Sequence, residues 1–161
     1  PKMSEELKYI TYDEALVVYS KTVAASGGGL QGVKDEGGIR KVLDFVQNDL
    51  YYPTFAEKLT YLVFGFCTGH YFEDSNKRVA LTLGVWFLVH NGYYWHAYNF
   101  MQCMEAIIYH VAAGHIDKDL LLRVINCYMA NEDYPEDLKL ELIHAIGDQS
   151  VEFEESDDNR H

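Results

Sequence analysis

Val79, Ala80, Leu81, Leu83, Val85, Trp86, Phe87, Leu88 and Val89 place apolar side chains on nearly every face of a helix. A helix that is hydrophobic all round has to be surrounded by other elements, so residues 76–90 are expected to form the central buried helix of the fold. Asn91-Gly92 supplies its left-handed stop. The flanking segments also read as helices. Thr11-x-x-Glu14 is a capping box, and Leu16, Val17, Tyr19, Ser20 and Val23 continue at helical spacing, which predicts a first helix over 12–25. Ile39, Val42, Leu43, Phe45 and Val46 mark a second, and Pro53 with Thr54-x-x-Glu57 opens a third that runs to Gly69. After an aromatic turn from Tyr93 to Tyr98, Asn99 is expected to cap a fifth helix ending at Gly114. Asp117 then caps a sixth to about Ala130, and Pro135 leads a seventh toward Gly147. The expected fold class is all-α, a compact bundle of about six to seven helices around the apolar one. Residues 27–38 hold six glycines in twelve positions around Leu30-Gln31-Gly32-Val33, too flexible for the interior of an element, and read as a loop or short flap.

The chemistry is concentrated immediately before the apolar run, in His70-Tyr71-Phe72-Glu73-Asp74-Ser75-Asn76-Lys77-Arg78. Asn76, Lys77 and Arg78 fall in the first turn of the predicted central helix, where unpaired backbone N–H groups attract anions. Cations are poorly placed at that positive end of a helix, so two of them imply an anion between them. Arg78 offers a rigid fork matched to phosphate and Lys77 a mobile point charge. Asp74 suits a metal ion that takes one hard carboxylate and leaves its other positions to water and phosphate oxygens. His70 is a candidate general base at the mouth of the site. Each residue has a plainer reading. A histidine alone after a glycine is more often a surface or cap residue, Asn76 can be an N-cap, and Asp74 can pair with the helix dipole, Lys77 or Arg78. Phe72 reads as an apolar plug that anchors the loop in either case.

The spacing His70-x-Phe72-x-Asp74-x-Asn76-Lys77-Arg78 resembles the signature loop of the Fic/Doc family, and is closest to its Doc branch. Three further segments occur in the order and at the separations of a Doc-like domain. They are Gly32-Val33-Lys34-Asp35-Glu36-Gly37-Gly38-Ile39, Tyr52-Pro53-Thr54-Phe55-Ala56-Glu57-Lys58 and Phe87-Leu88-Val89-His90-Asn91-Gly92-Tyr93. The resemblance extends over residues 9–130. Fic nucleotidyltransferases usually carry Gly-Asn-Gly-Arg and a second arginine that holds the far phosphate of ATP. Here Lys77 replaces the second glycine and Leu81 the second arginine. In the family that pair of changes accompanies transfer of the terminal phosphate, so the resemblance implies a kinase acting on a protein Ser or Thr hydroxyl, with ATP and Mg2+. It implies His70 as general base, Asp74 as metal ligand and Ser75, Asn76, Lys77 and Arg78 around the phosphates. Phe72 is then the loop anchor, and Leu30, Gln31, Gly32 and Val33 form a flap that aligns the target peptide. Ser75 stands where the family usually has Ala or Gly, and its hydroxymethyl group can either donate to the phosphates or crowd them.

The resemblance further implies a toxin whose substrate is the translation elongation factor Tu. Self-restraining Fic proteins carry Ser/Thr-x-x-x-Glu-Gly/Asn, whereas here Glu36-Gly37 has Gly32 in the hydroxyl position. Inhibition is therefore expected in trans, from a Phd-like antitoxin whose flexible tail folds onto the bundle. Two alternatives stand beside the kinase: a Fic-type adenylyltransferase that transfers AMP, and a degenerate Doc-like binding module.

Composition narrows the remaining classes. A net charge of −12 includes −5 in the acidic residues 148–161, expected to be a disordered tail behind a single domain over 1–147. Such a surface repels nucleic acid. No apolar stretch reaches the roughly 18 residues a membrane helix needs, and the amino terminus does not read as a signal peptide. Cys67, Cys103 and Cys127 are widely separated among apolar neighbours and are expected to be buried thiols in a reducing compartment, the cytoplasm. The other histidines lack zinc-site spacing. GxxxxGK[ST] and the protein-kinase motif set are missing, which leaves the 70–78 loop to carry phosphoryl transfer.

Overall fold

The computed structural model of the chain describes residues 6–28 and 32–158, the stretch 148–158 as backbone only. Among the described residues every regular element is an α-helix, apart from one isolated antiparallel bridge between Val33 and Phe72. α1 (Tyr12–Ala25) and α3 (Phe55–Thr68) begin at the two capping boxes. The Thr11 hydroxyl accepts from the Glu14 N–H at 3.2 Å, and that of Thr54 from the Glu57 N–H at 3.1 Å. Asp117 caps α6 (Lys118–Ala130) by accepting from the Leu120 N–H at 2.8 Å, and Asn131 (φ 57°) stops that helix in the left-handed region.

α4 (Asn76–His90) is the central helix. It packs between α3 and α5 (Tyr94–Ala112), with α1 also against it. Val79, Leu83, Phe87 and Leu88 are fully buried there, which contributes on the order of 6–12 kcal/mol against chain entropy. One face of the C-terminal half of α4 reaches the surface: Val89 is 40% exposed, and Trp86 stacks on the His90 ring at 3.5 Å.

Four expectations are corrected. α2 (Glu36–Phe45) starts ahead of Ile39, because Asp35 caps it by accepting from the Gly38 N–H at 2.8 Å. Gly37 and Gly38 are therefore helical rather than part of the flap. α5 starts at Tyr94, and Asn99 lies inside it, donating to the Trp95 carbonyl at 2.8 Å instead of capping. Cys103 is exposed and Cys127 half-buried, so of the three thiols only Cys67 is in the core. Cys103 sits on the outer face of α5, whose inner face is Phe100, Met104, Ile107 and Ile108. Finally, α7 (Glu136–Asp158) continues past Gly147, where the seventh helix was expected to end. One glycine costs a helix only about 1 kcal/mol, and it ends one when it takes up a left-handed φ, which Gly147 does not.

Lys58 was not singled out by its sequence context, yet it is fully buried. Its Nζ donates to the Val46 carbonyl at 2.9 Å and pairs with Asp49 at 2.8 Å, fixing the α2–α3 connection to the start of α3. No helix among the described residues is long and apolar enough to cross a membrane.

Burial pushes the Cys67 thiol up to about 11 and the Tyr61 and Tyr128 phenols up to about 12, from ordinary values of 9.0 and 10.0. These raised groups favour the protonated folded state. Their contribution to stability is complete below about pH 9 and is lost as pH rises through 11 and 12. The urea unfolding midpoint should be level from pH 7 to about 9 and fall steadily above that. A midpoint that holds or rises to pH 11 contradicts this.

Candidate functional site

The 70–78 loop is held by its own backbone and by two glycines. α3 ends at Thr68, and His70 then adopts φ 52°, in the left-handed region. That turn drives the Tyr71 ring onto α2 and the end of α3. A Cβ at Gly38 would meet this ring at 2.5 Å, and one at Gly69 would meet it at 2.3 Å, so both positions need glycine for the close approach. Phe72 is 1% exposed and stacks on Tyr19 with ring centroids 4.1 Å apart. Its main chain is clasped by Asn76, whose Oδ1 accepts from the Phe72 N–H at 3.2 Å and whose Nδ2 donates to the Phe72 carbonyl at 3.0 Å. The N-cap position belongs to Ser75 (φ 64°), and Asn76 is the first residue of α4.

Of the expected flap, Leu30 and Gln31 lie outside the described residues. Gly32 and Val33 run antiparallel to the loop. Val33 bridges to Phe72, and the Glu73 N–H donates to the Gly32 carbonyl at 3.1 Å. The N–H groups of Lys34 and Asp35 donate to the Tyr71 carbonyl at 2.8 and 3.1 Å. A short two-stranded edge thus borders the site, where an extended segment can lie alongside.

The loop opens onto a cavity of about 560 Å³. His70, Asp74, Ser75, Asn76, Lys77 and Arg78 line it together with Cys67 and Leu81, and Ser26, Glu105, Ile108, Tyr109 and Ala112 close the opposite wall. His70, Lys77 and Arg78 are exposed, while Asp74, Ser75 and Asn76 are half-buried. The Ser75 hydroxyl donates to Asp74 Oδ1 at 2.9 Å, so it is turned toward the carboxylate and orients it. The first donor of the α4 ladder is the Val79 N–H, bonded to the Ser75 carbonyl at 2.9 Å. The N–H groups of Asn76, Lys77 and Arg78 precede the ladder at the positive end of the helix. Among the described residues no ion pair involves Lys77, Arg78 or Asp74. Two cations and the start of a helix therefore face the cavity without a protein anion paired to them, an arrangement suited to phosphate.

Burial raises the Cys67 thiol, whereas the Lys77 charge pulls it down, which places that ammonium within electrostatic reach of the cavity floor. Among the described residues no group of three or more His, Cys, Asp or Glu converges as a metal cluster. Asp74 is a single carboxylate beside an anion site, a donor set that fits Mg2+ sharing phosphate oxygens and water.

Tyr71 and the α5 wall, Glu105, Tyr109 and Ala112, were not anticipated from sequence. Glu105 and Tyr109 are spaced i, i+4 on one face of α5, but no local signal marks which helix face borders a loop some thirty residues earlier. The absence of the second arginine is legible in three dimensions, because Leu81 presents an apolar side chain to the cavity.

Comparison with known proteins agrees with this geometry. The Fic/DOC family pattern matches residues 9–88, which contain the whole loop and all but the last two residues of α4. Over 90 residues the chain is 32% identical to the protein kinase doc of Escherichia phage P1, an alignment covering 53% of this chain and 70% of that protein. The chain belongs to the Fic/DOC family.

Proposed function

We propose that this protein transfers the terminal phosphate of ATP to a Ser or Thr hydroxyl of a protein substrate. The observation that carries this reading is the cavity in which His70, Asp74, Lys77, Arg78 and the first N–H groups of α4 converge, while Leu81 beside them presents an apolar side chain. The name of the phage relative, a protein kinase, supports the same chemistry. Lys77, Arg78 and the helix amides hold the transferring phosphoryl group and balance its charge. Asn76 keeps the loop in register by clasping Phe72. The His70 imidazole at the rim accepts the proton of the attacking hydroxyl. Gly32 and Val33, already paired with the loop, set the track along which the target backbone lies. Mg2+ bound at Asp74 would supply further charge neutralisation on the phosphate oxygens. Ser75 acts by orienting Asp74.

Following the Doc resemblance, the substrate is elongation factor Tu and the outcome is a halt in translation in the cytoplasm. Restraint then comes from a Phd-like antitoxin acting in trans. Purified elongation factor Tu is incubated with the protein, Mg2+ and ATP labelled at either the α- or the γ-phosphate. Label on the factor from the γ-position alone is expected. Transfer from the α-position overturns the kinase reading in favour of nucleotidyl transfer. In a parallel incubation with bacterial lysate, γ-label on other proteins with none on the factor overturns the substrate and keeps the chemistry.

A further inference from the structure

The α2–α3 connection builds a second concavity, of about 430 Å³, at the opposite end of α3 from the 70–78 loop. Tyr61 lines it and Cys67 lines the first cavity, so about 9 Å of helix separates the two. The connection is rigid. The buried Lys58 holds Val46 and Asp49, and the Asn48 side chain accepts from the N–H groups of Leu50 and Tyr51 at 2.9 and 3.2 Å. The Tyr52 N–H closes the turn onto the Asn48 carbonyl at 2.9 Å. This pinned turn nevertheless holds Leu50 93% exposed and Tyr51 67% exposed. Large apolar side chains fixed in the open by a preorganised backbone are the anchors of a recognition surface.

The rings beside them form one continuous aromatic wall. Tyr52 stacks on Tyr61 at 4.2 Å, and Phe45 lies 5.8 Å from Tyr51 and 6.5 Å from Tyr61. The Lys118 Nζ sits 6.0 Å over the Tyr61 ring, at the outer limit of a cation–π contact, so a cation is already drawn weakly to this face. Glu57 and Asp119 line the same cavity, and one buried Glu57 carboxylate oxygen has no hydrogen-bond partner among the described residues. A missing donor, an aromatic wall and two carboxylates on a protein of net charge −12 select a cationic, planar, hydrogen-bond-donating ligand.

We propose that this concavity is a docking site for an arginine-bearing segment of a protein partner. The guanidinium stacks on the Tyr52–Tyr61 wall, pairs with Glu57 and Asp119, and displaces the Lys118 ammonium, while Leu50 and Tyr51 grip the apolar residues beside the arginine. This site is independent of phosphoryl transfer and stands whether or not the kinase reading holds.

The full-length protein is titrated with acetyl-Ala-Ala-Arg-Ala-Ala-amide and with the same peptide carrying citrulline, the neutral isostere of arginine. The tyrosine ring and lysine resonances are followed by NMR. Millimolar binding with shifts confined to Tyr51, Tyr52, Tyr61 and Lys118 is expected, and about tenfold weaker binding of the citrulline peptide. Glu57→Gln leaves the α3 cap in place, because the Thr54 hydroxyl bonds the Glu57 N–H rather than its side chain, and should weaken the arginine peptide without unfolding the protein. Lys118→Ala removes the internal cation and should tighten it. Equal binding of the two peptides, shifts spread elsewhere, no shifts on a folded protein, or Lys118→Ala weakening the complex would each overturn the proposal.

Discussion

His70→Asn is expected to lower phosphoryl transfer by about 10²–10⁴-fold while leaving the thermal unfolding midpoint where it is. The imidazole is exposed at the cavity rim, so its removal empties no part of the core. The backbone at this position is left-handed, with φ 52°, and asparagine occupies that region more readily than most residues. Asparagine therefore keeps the loop path and the α4 amides while removing the proposed proton acceptor. His70→Ala should lose the same activity and also cost about 1 kcal/mol of stability, through strain at the positive φ. The comparison separates base from scaffold: parallel measurements of ATP binding should show both variants near the parent protein. Activity in His70→Asn within a few-fold of the parent would remove His70 from the chemistry.

Phe72→Ala is expected to cost about 3–5 kcal/mol, the upper part of the range for core truncations. For a chain of this length that corresponds to a fall of roughly 6–20 °C in the unfolding midpoint. The ring is buried between Tyr19, at 4.1 Å, and Phe66, at 6.3 Å, so its loss opens a cavity against two aromatic neighbours. A second consequence follows from Asn76, which holds the Phe72 main chain. With the plug gone, that clasp and the bridge to Val33 have nothing to keep them in register, and transfer should fail well below the unfolding temperature. Phe72→Leu refills part of the volume and should recover most of the stability and part of the activity. Denaturant melts and activity at a temperature where every variant is folded test both effects. A loss under about 1 kcal/mol for Phe72→Ala would refute the anchoring role.

The boundaries that were legible in sequence are those marked by side chains bonding to nearby backbone. Thr11, Thr54 and Asp117 each satisfy an N–H a turn away, and such bonds depend on little beyond local spacing. Where a boundary was misread, the deciding signal is a nearby one that was passed over, as in the Asp35 cap of α2. Tyr93 makes no side-chain cap bond, and α5 begins at Tyr94 because α4 turns at Gly92 (φ 86°) and the next residues pack back on it. Gly37 and Gly38 looked like loop because glycine is poor in helices, yet Tyr71 lies against Gly38 and excludes any larger residue there. Asn76 is the instructive site residue. Its position in the loop was plain, but its two bonds to Phe72 appear only once the loop has turned through His70 and Ser75, both in the left-handed region.

What the amino-acid order determined alone is the helical class, the central helix from Asn76 to His90, and the set of charged and polar residues at its head. Those follow from periodicity and from composition within a dozen residues, where chain neighbours are spatial neighbours. Only the tertiary structure decided which α5 side chains face that head, and that Lys58 is buried to brace a distant turn. The same holds for the aromatic wall in which Tyr61 joins Tyr51 and Tyr52. These arrangements join residues far apart in sequence, and packing of whole helices, not local preference, sets which of their faces meet.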